Sequence, residues 1–141
     1  MSRRPIVAGN WKLHKNAAET RETILELASR IDAAGDPGAE IVVCPPFTSI
    51  PAALEAADGS SIRIGAQNVS SETSGAFTGE IASEMLEHLG VSYVIIGHSE
   101  RRWVFGETDD TVNAKLRKVL EGDLVPIVCV GERLEEREGD R

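Results

Sequence analysis

The sequence predicts an α/β protein in which parallel strands alternate with helices. Short apolar runs rich in β-branched residues are separated by segments in which apolar residues recur every three or four positions. The repeat is roughly 30 residues long, as expected for a strand, a helix and the next strand. Polar segments that contain glycine follow the apolar runs. Together these observations indicate right-handed crossovers and functional residues at the carboxyl ends of the strands.

Five apolar runs are predicted to form strands that are buried on both faces. Each run is short, and glycine, proline or polar residues bound it. The predicted strands are PIVAGN (5–10), EIVVCPP (40–46), IRIGA (62–66), SYVIIGH (92–98) and VPIVCVGE (125–132).

Capping signals place the first two helices. Asn16, with Glu19 three residues later, has the pattern of a capping box, and the helix that follows is predicted to end at Gly35. Pro51 suits the first turn of a second helix that runs to about Asp58.

Two more helices are predicted from apolar spacing and from their ends. The third carries its apolar face on Ile81, Met85 and Leu89 and ends at Gly90. Thr108 is suited to cap the fourth, and the acidic residues after it favour a helix start. The apolar face of this fourth helix is predicted at Val112, Leu116 and Leu120.

Composition and charge limit the possible classes of protein. A chain of 141 residues with 41% apolar residues is predicted to form one domain, residues 1–141. The net charge of −8 and the dispersed arginines argue against nucleic-acid binding. The apolar runs are shorter than the roughly 20 residues needed to cross a bilayer. We therefore expect no membrane association, no targeting segment and a cytoplasmic location.

The two cysteines are predicted to be buried and reduced. Cys44 and Cys129 each lie inside an apolar run, without a close partner in the sequence. This placement is typical of small apolar core residues in a cytosolic protein, whereas a reactive or paired thiol is the alternative.

Common cofactor and catalytic motifs are missing from the sequence. It contains neither GxGxxG nor GxxxxGK[ST], and GHSER is not a nucleophile elbow because Arg101 replaces the second glycine. The histidines are far apart and form no HExxH pattern. We therefore expect no organic cofactor and no metal. The polar residues that follow predicted strands remain as candidates: Asn10, Lys12, Gln67, Asn68, His98, Glu100 and Glu132.

Four segments resemble, in order and spacing, the signature segments of the triosephosphate isomerase family. They are AGNWKLHKN, GAFTGEIA, YVIIGHSERR with FGETDDTVNAK, and PIVCVGERLEERE. GHSER alone would be weak, but four segments across nearly the whole chain are specific. The resemblance implies the parallel (β/α) units of a TIM barrel, here a partial barrel of about five strands. It also implies the interconversion of dihydroxyacetone phosphate and glyceraldehyde 3-phosphate through an enediol, without a cofactor.

The resemblance implies catalytic roles for four residues. Lys12 would offer its ammonium to the phosphorylated triose and to the charge that develops on the enediolate, and Asn10 would donate to the same oxygens. His98 would polarise the carbonyl and move protons between substrate oxygens. Glu100 would position its neighbours or relay a proton. The alternatives are a surface lysine, a turn asparagine, a core histidine and a surface ion pair, respectively.

The resemblance also implies supporting roles for residues around these four. Cys129 and Glu132 are expected to be structural or to support the site. The segment SERRWVFG is expected to form a short helix, with Arg102 in packing or ion pairs beneath the site. Trp103 and Phe105 are expected to be apolar anchors of that helix.

The same resemblance implies an interface between two copies of the chain. Phe77 and Thr78 lie in a glycine-flanked loop, where an exposed aromatic side chain is costly unless a partner covers it. In the family this loop inserts into the neighbouring subunit, and Glu80 would pair with Arg101 across the interface. We therefore expect a homodimer or a higher homo-oligomer, with a mobile surface loop as the alternative.

The resemblance covers only part of the family's fold. A complete barrel has eight βα units, and the strand with the catalytic glutamate, the lid loop and the late phosphate-binding loops have no counterpart in these 141 residues. We therefore expect the isolated chain to be inactive. The alternative function is a non-catalytic, self-associating half-barrel, because the first and fifth strands would have bare edges. A different phosphate-binding barrel is a third possibility.

Overall fold

The computed structural model describes residues 3–139 and has five strands that alternate with helices. The strands are β1 (Ile6–Asn10), β2 (Glu40–Cys44), β3 (Ile62–Ala66), β4 (Tyr93–Ile96) and β5 (Val125–Val128). The helices are α1 (Ala17–Ala34), α2 (Ile50–Ala57), α3 (Ser83–Leu89), α4 (Ser99–Trp103), α5 (Asp109–Val119) and α6 (Leu134–Glu138), and a 3-10 turn (Phe47–Ser49) precedes α2. The predicted α/β class is confirmed.

The strands form one parallel sheet in the order β1-β2-β3-β4-β5. Each strand pairs with the strand that precedes it in sequence, so the order never reverses as it does in doubly wound folds. The sheet curls into a half-barrel, as predicted for partial barrel units.

Two groups of buried side chains lie on opposite faces of this sheet. Because successive side chains of a strand alternate between faces, Val43, Val94 and Ile96 pack in the larger core with the helices. The smaller core contains Val42, Cys44, Tyr93 and Ile95. These four side chains therefore cover part of the concave face of the partial barrel.

A close approach in the smaller core requires glycine at position 65. A Cβ atom placed on Gly65 would lie 2.6 Å from the Cys44 sulfur and 3.3 Å from Tyr93 Cβ. Any side chain at this position would therefore clash with the neighbouring strands.

The predicted helix caps are confirmed. Asn16 Oδ1 accepts from the N–H groups of Ala18 and Glu19 at 3.0 Å, and the Glu19 carboxylate accepts from Asn16 N at 2.9 Å. Thr108 Oγ1 accepts from Thr111 N at 3.3 Å at the start of α5. These bonds satisfy amide groups that have no partner within the helix.

The predicted faces of two helices were partly wrong. Met85 and Leu89 are about half exposed, because α3 packs on the sheet through Leu86 instead. In α5, Val112 is buried as predicted, but Leu120 lies beyond the helix end and is exposed. The spacing of apolar residues identified the helices, but it was compatible with more than one choice of the buried face.

The two outer strands have open edges, as predicted, but the prediction that they are buried on both faces was wrong. β1 is mostly exposed, including Ile6 and Val7, and Val125 at the start of β5 is also exposed. Each of these strands has a single neighbour within the described chain. Backbone groups on their outer sides are therefore available to another strand.

Both cysteines are free thiols, but only one is fully buried. Burial raises the pKa of the Cys44 thiol to about 12. Cys129 is partly exposed, and burial again raises its pKa, against the opposing charge of Arg102. Within residues 3–139, every helix is too short or too polar to cross a membrane.

Candidate functional site

The sheet brings Lys12, His98 and Glu100 together at the carboxyl ends of its strands. Lys12 follows β1, whereas Glu100 lies in α4, directly after β4, so two strands separate their positions in the sheet. Lys12 Nζ nevertheless donates to Glu100 Oε1 at 2.7 Å. The lysine side chain thus reaches across the mouth of the curled sheet, and both partners remain about half exposed.

Lys12 has an unusual backbone conformation that local hydrogen bonds hold. Its φ of 53° lies in the left-handed region, which costs a non-glycine residue about 1–3 kcal/mol unless its surroundings fix it. Lys12 N donates to Asn10 Oδ1 at 3.0 Å. Because Asn10 uses its oxygen in this bond, its NH2 group is the end that can donate to a ligand.

Gln67 binds the backbone carbonyl of Lys12, whereas Asn10 binds its N–H group. Gln67 Nε2 donates to Lys12 O at 2.8 Å and to Cys44 O at 2.9 Å. Trp11 N also donates to Cys44 O, at 3.1 Å. The sequence indicated Gln67 only as a polar residue after a strand, and its bonds to two carbonyl groups were not predicted.

The contacts of His98 indicate which of its ring nitrogens can donate to a ligand. His98 is the N-cap of α4, and its Nδ1 accepts from Glu100 N at 3.2 Å. With Nδ1 as the acceptor of this bond, Nε2 is the ring nitrogen that can donate. Glu100 Oε2 is 3.5 Å from the same Nδ1, a distance that would be an ion pair only with a charged ring. The ring can therefore donate from Nε2 to a ligand oxygen.

Glu100 is a carboxylate in this arrangement. The hydrogen bond from Lys12 holds the pKa of Glu100 below its usual value and outweighs the opposing effect of partial desolvation. The charge of Lys12 acts in the same direction. The site thus combines an ammonium, a carboxylate and an imidazole that can donate from Nε2.

A cavity of about 470 Å³ lies beside His98, between α4 and the loop that follows β5. Its lining is mixed, with side chains that include His98, Ser99, Arg102, Trp103, Cys129 and Glu132. Lys12 and Asn10 do not line it. In the part of the chain described, no cluster of three or more His, Cys, Asp or Glu side chains could hold a metal ion.

A buried ionic network supports α4 from behind. Glu107 Oε1 accepts from Arg101 Nε and from Lys115 Nζ, each at 2.5 Å, and Lys115 Nζ also donates to Asn68 Oδ1 at 2.8 Å. Burial alone would raise the pKa of Glu107, but the bonds from Lys115 and Arg101 hold it below its usual value.

The sequence analysis did not identify Glu107 and Lys115. A signal was present, because Lys115 lies on the buried face of α5, three residues after Val112 and four before Val119. A lysine on an apolar face indicates a buried anionic partner, since an unpaired charge there is costly.

The arginines and aromatic residues of α4 differ in their placement. Arg102 Nε donates to Gly97 O at 2.8 Å and its Nη1 pairs with Asp109 Oδ1 at 2.7 Å, beneath the site as predicted. Trp103 and Phe105 were expected to anchor the helix, but both are more than half exposed. Each is covered on one ring face by an arginine, Arg133 over Trp103 and Arg101 over Phe105.

The loop that contains Phe77 lies on the surface. Phe77, Thr78 and Glu80 are all exposed, and Gly75 and Gly79 have positive φ angles. Within the chain, Arg101 is bound to Glu107. The interface expected at these residues therefore remains a prediction.

Comparison with known proteins gives a consistent result across nearly the whole chain. A family model described as triosephosphate isomerase matches residues 5–141. A triosephosphate isomerase of Clostridium botulinum (strain ATCC 19397 / Type A) is 55% identical over 138 residues, which cover 98% of this chain and 54% of that protein.

Two other bacterial proteins give nearly the same values. The triosephosphate isomerase of Alkaliphilus metalliredigens is 54% identical over 136 residues, covering 96% of this chain and 54% of that protein. The corresponding protein of Moorella thermoacetica is 55% identical, with 96% of this chain and 53% of that protein covered. The chain thus spans about half the length of the curated relatives it matches.

Proposed function

The chain belongs to the triosephosphate isomerase family, and on this premise we propose that Asn10, Lys12, His98 and Glu100 bind a phosphorylated triose. The reaction they serve is the interconversion of dihydroxyacetone phosphate and glyceraldehyde 3-phosphate through an enediol, without a metal or organic cofactor. The protein acts in the cytoplasm, in glycolysis and gluconeogenesis, and residues 1–141 fold as one domain.

One observation carries this proposal: the ammonium of Lys12 lies 2.7 Å from Glu100, and the amide of Glu100 orients His98. A phosphorylated substrate is anionic, so it competes with Glu100 for the ammonium. The Nε2–H of His98 then donates to the substrate carbonyl, and the NH2 of Asn10 donates to a neighbouring oxygen. These donors are directed at oxygens that gain charge as the enediolate forms.

Residues 1–141 alone bind the substrate without turning it over. Enediol formation requires a base that removes a proton from carbon, a contribution commonly of about 10²–10⁴-fold in rate. Glu100 is a poor base, because its ion pair with Lys12 stabilises the ionised form. Catalysis therefore requires a carboxylate from outside this segment.

Binding and turnover are best measured separately on the 141-residue chain. We expect dihydroxyacetone phosphate to shift the NMR signals of Lys12 and His98, and Lys12→Met to abolish the shift of His98. A coupled isomerase assay at high protein concentration should give only background. Shifts that persist in Lys12→Met contradict the proposed binding site. Turnover that disappears in His98→Gln contradicts the proposed inactivity.

A second proposed property is self-association of the chain, as a homodimer or a higher homo-oligomer. Its basis is the exposure of Phe77 in a protruding loop, together with the open edges of β1 and β5. Following the family resemblance, Phe77, Thr78, Glu80 and Arg101 contribute to the interface. A non-catalytic, self-associating half-barrel is accordingly the alternative function of the isolated segment.

Two exposed apolar residues allow a matched test of this association. Phe77 is 47% exposed, and Leu120, at the end of α5, is 63% exposed, so Phe77→Ser and Leu120→Ser each remove an exposed apolar side chain. In light scattering at micromolar concentration we expect Phe77→Ser to lower the mass of the assembly and Leu120→Ser to leave it unchanged. A monodisperse wild-type monomer contradicts self-association, and equal effects of both variants contradict the proposed interface.

A further inference from the structure

We infer that Gln67 is a positioning residue that fixes the backbone of Lys12 and so directs the lysine ammonium to Glu100. The inference rests on the proposed function, since it concerns how the proposed substrate-binding lysine is held. Gln67 itself lies outside the set of Asn10, Lys12, His98 and Glu100.

The two sides of the Lys12 residue are held by two different amide side chains. Asn10 accepts from the N–H of Lys12 at 3.0 Å, and Gln67 donates to its C=O at 2.8 Å. Rotation of the flanking peptides must break one of these bonds. Together they hold Lys12 at its φ of 53°, a conformation that an L-residue adopts at a cost.

The amide of Gln67 also ties this loop to the sheet. Its Nε2 carries two hydrogens, and the second one donates to Cys44 O at the end of β2, at 2.9 Å. Cys44 is fully buried, so this carbonyl is a fixed point of the core. Through Gln67, the backbone of Lys12 is therefore held in place by β2 and β3 as well as by β1, the strand that it follows.

The backbone direction at Lys12 matters because its side chain joins the end of β1 to α4. Its ammonium must reach Glu100, which lies 88 positions along the chain in α4. The side chain is half exposed, so packing supports it only partly. If the flanking peptides rotate, the Cα–Cβ bond points elsewhere and the 2.7 Å contact opens.

The side-chain chemistry at position 67 fits this task narrowly. Two carbonyl oxygens require two N–H donors on one atom, which an amide NH2 supplies. A glutamate carboxylate would bring acceptors against both oxygens. Methionine has nearly the same length but donates nothing, so Gln67→Met removes both bonds with little change in volume.

The contact between Lys12 and Glu100 can be followed without any substrate. In the wild-type chain, the Glu100 carboxyl signal in carbon-13 NMR should titrate at a lower pH than an ordinary glutamate, because Lys12 is its partner. The Lys12→Met variant gives the midpoint of the Glu100 titration in the absence of the lysine ammonium. For Gln67→Met we expect an upward shift of the Glu100 midpoint toward that of Lys12→Met.

Ser60→Ala provides a control just before β3, the strand that Gln67 follows. Ser60 Oγ donates to Ala57 O at 2.7 Å and accepts from Ile62 N at 3.2 Å, at the opposite end of β3. This variant also loses two hydrogen bonds and should leave the Glu100 midpoint unchanged. A Glu100 midpoint in Gln67→Met equal to that of the wild type overturns the inference, whatever the loss of stability.

A second variant keeps the test decisive if Gln67→Met does not fold. Gln67→Asn retains the amide but is one methylene shorter, so it cannot reach both carbonyl groups. We expect the φ-dependent scalar couplings of Lys12 to change and the Glu100 midpoint to rise. Unchanged couplings and an unchanged midpoint overturn the inference. Both readouts are independent of triose binding, so failure of the proposed function would appear separately as unchanged spectra on adding dihydroxyacetone phosphate to the wild type.

Discussion

The ammonium of Lys115 lies 2.5 Å from the carboxylate of Glu107, and only 6% and 7% of these two side chains are exposed. Arg101 shares the same carboxylate oxygen, so one anion is held by two cations behind α4. Of the candidate catalytic residues, His98 caps this helix and Glu100 directly precedes Arg101 in it. The helix that carries them is thus fixed by charge as well as by apolar contact.

Removal of Lys115 should strongly destabilise the chain. In Lys115→Met, Glu107 remains buried with only Arg101 as its partner, and breaking a buried pair in this way typically costs about 3 kcal/mol. Chemical denaturation measures the loss. The control is Arg30→Met, which breaks an exposed pair with Glu26 on α1 and should cost less than about 0.5 kcal/mol. Similar losses in the two variants would contradict the structural importance of the buried pair.

The same carboxylate should make stability depend on pH under acidic conditions. The folded-state pKa of Glu107 lies below its ordinary value of 4.5. Its contribution to stability is therefore fully present above pH 4.5 and is lost as the pH falls through the folded-state pKa. Denaturation curves between pH 7 and acid should show this loss. Glu107→Gln should flatten the acidic part of the profile, and an unchanged slope would contradict the assignment.

A double-mutant cycle should reveal the crowding between Gly65 and Cys44. Gly65→Ala places a methyl group 2.6 Å from the Cys44 sulfur and should cost about 1–3 kcal/mol through overpacking. Cys44→Ala removes the sulfur and makes room. We expect the double variant to lose less stability in chemical denaturation than the sum of the two single losses. Additive losses would mean that the strands separate to accommodate the methyl group.

The two thiols should differ in their reactivity. Cys44 is fully buried and its pKa is raised to about 12, whereas Cys129 is partly exposed at the edge of the cavity beside His98. A thiol reagent at pH 8 should therefore modify Cys129 first in the native chain. Mass spectrometry of the labelled peptides measures both rates. Added urea should accelerate the Cys44 reaction far more, and equal native rates would contradict its burial.

The sequence predicted the elements more reliably than their faces. Asn16 and Thr108 identified helix starts because capping is a local interaction between residues two or three positions apart. The buried face of α3 was not predictable in the same way. Met85 and Leu86 are both apolar, and which of them packs inward depends on how the helix sits on the sheet.

The sequence predicted which residues form the site but only some of the contacts between them. The resemblance in AGNWK and GHSER identified Lys12, His98 and Glu100, and the structure brings these three together. The roles of Gln67 and Glu107 depend on contacts with residues 55 and 8 positions away. The contact of Gln67 joins the ends of β1 and β3 and was not specified by any local pattern of residues. The partner of Glu107 was indicated only by a lysine on the buried face of α5.

The strand order β1-β2-β3-β4-β5 has a consequence for synthesis on the ribosome. Each strand pairs with the strand made just before it, so every new strand can add to an existing edge as soon as its crossover has emerged. Pairing does not have to wait for a distant part of the chain. The half-barrel can thus grow in the direction of translation, with the newest strand always forming the edge to which the next one adds.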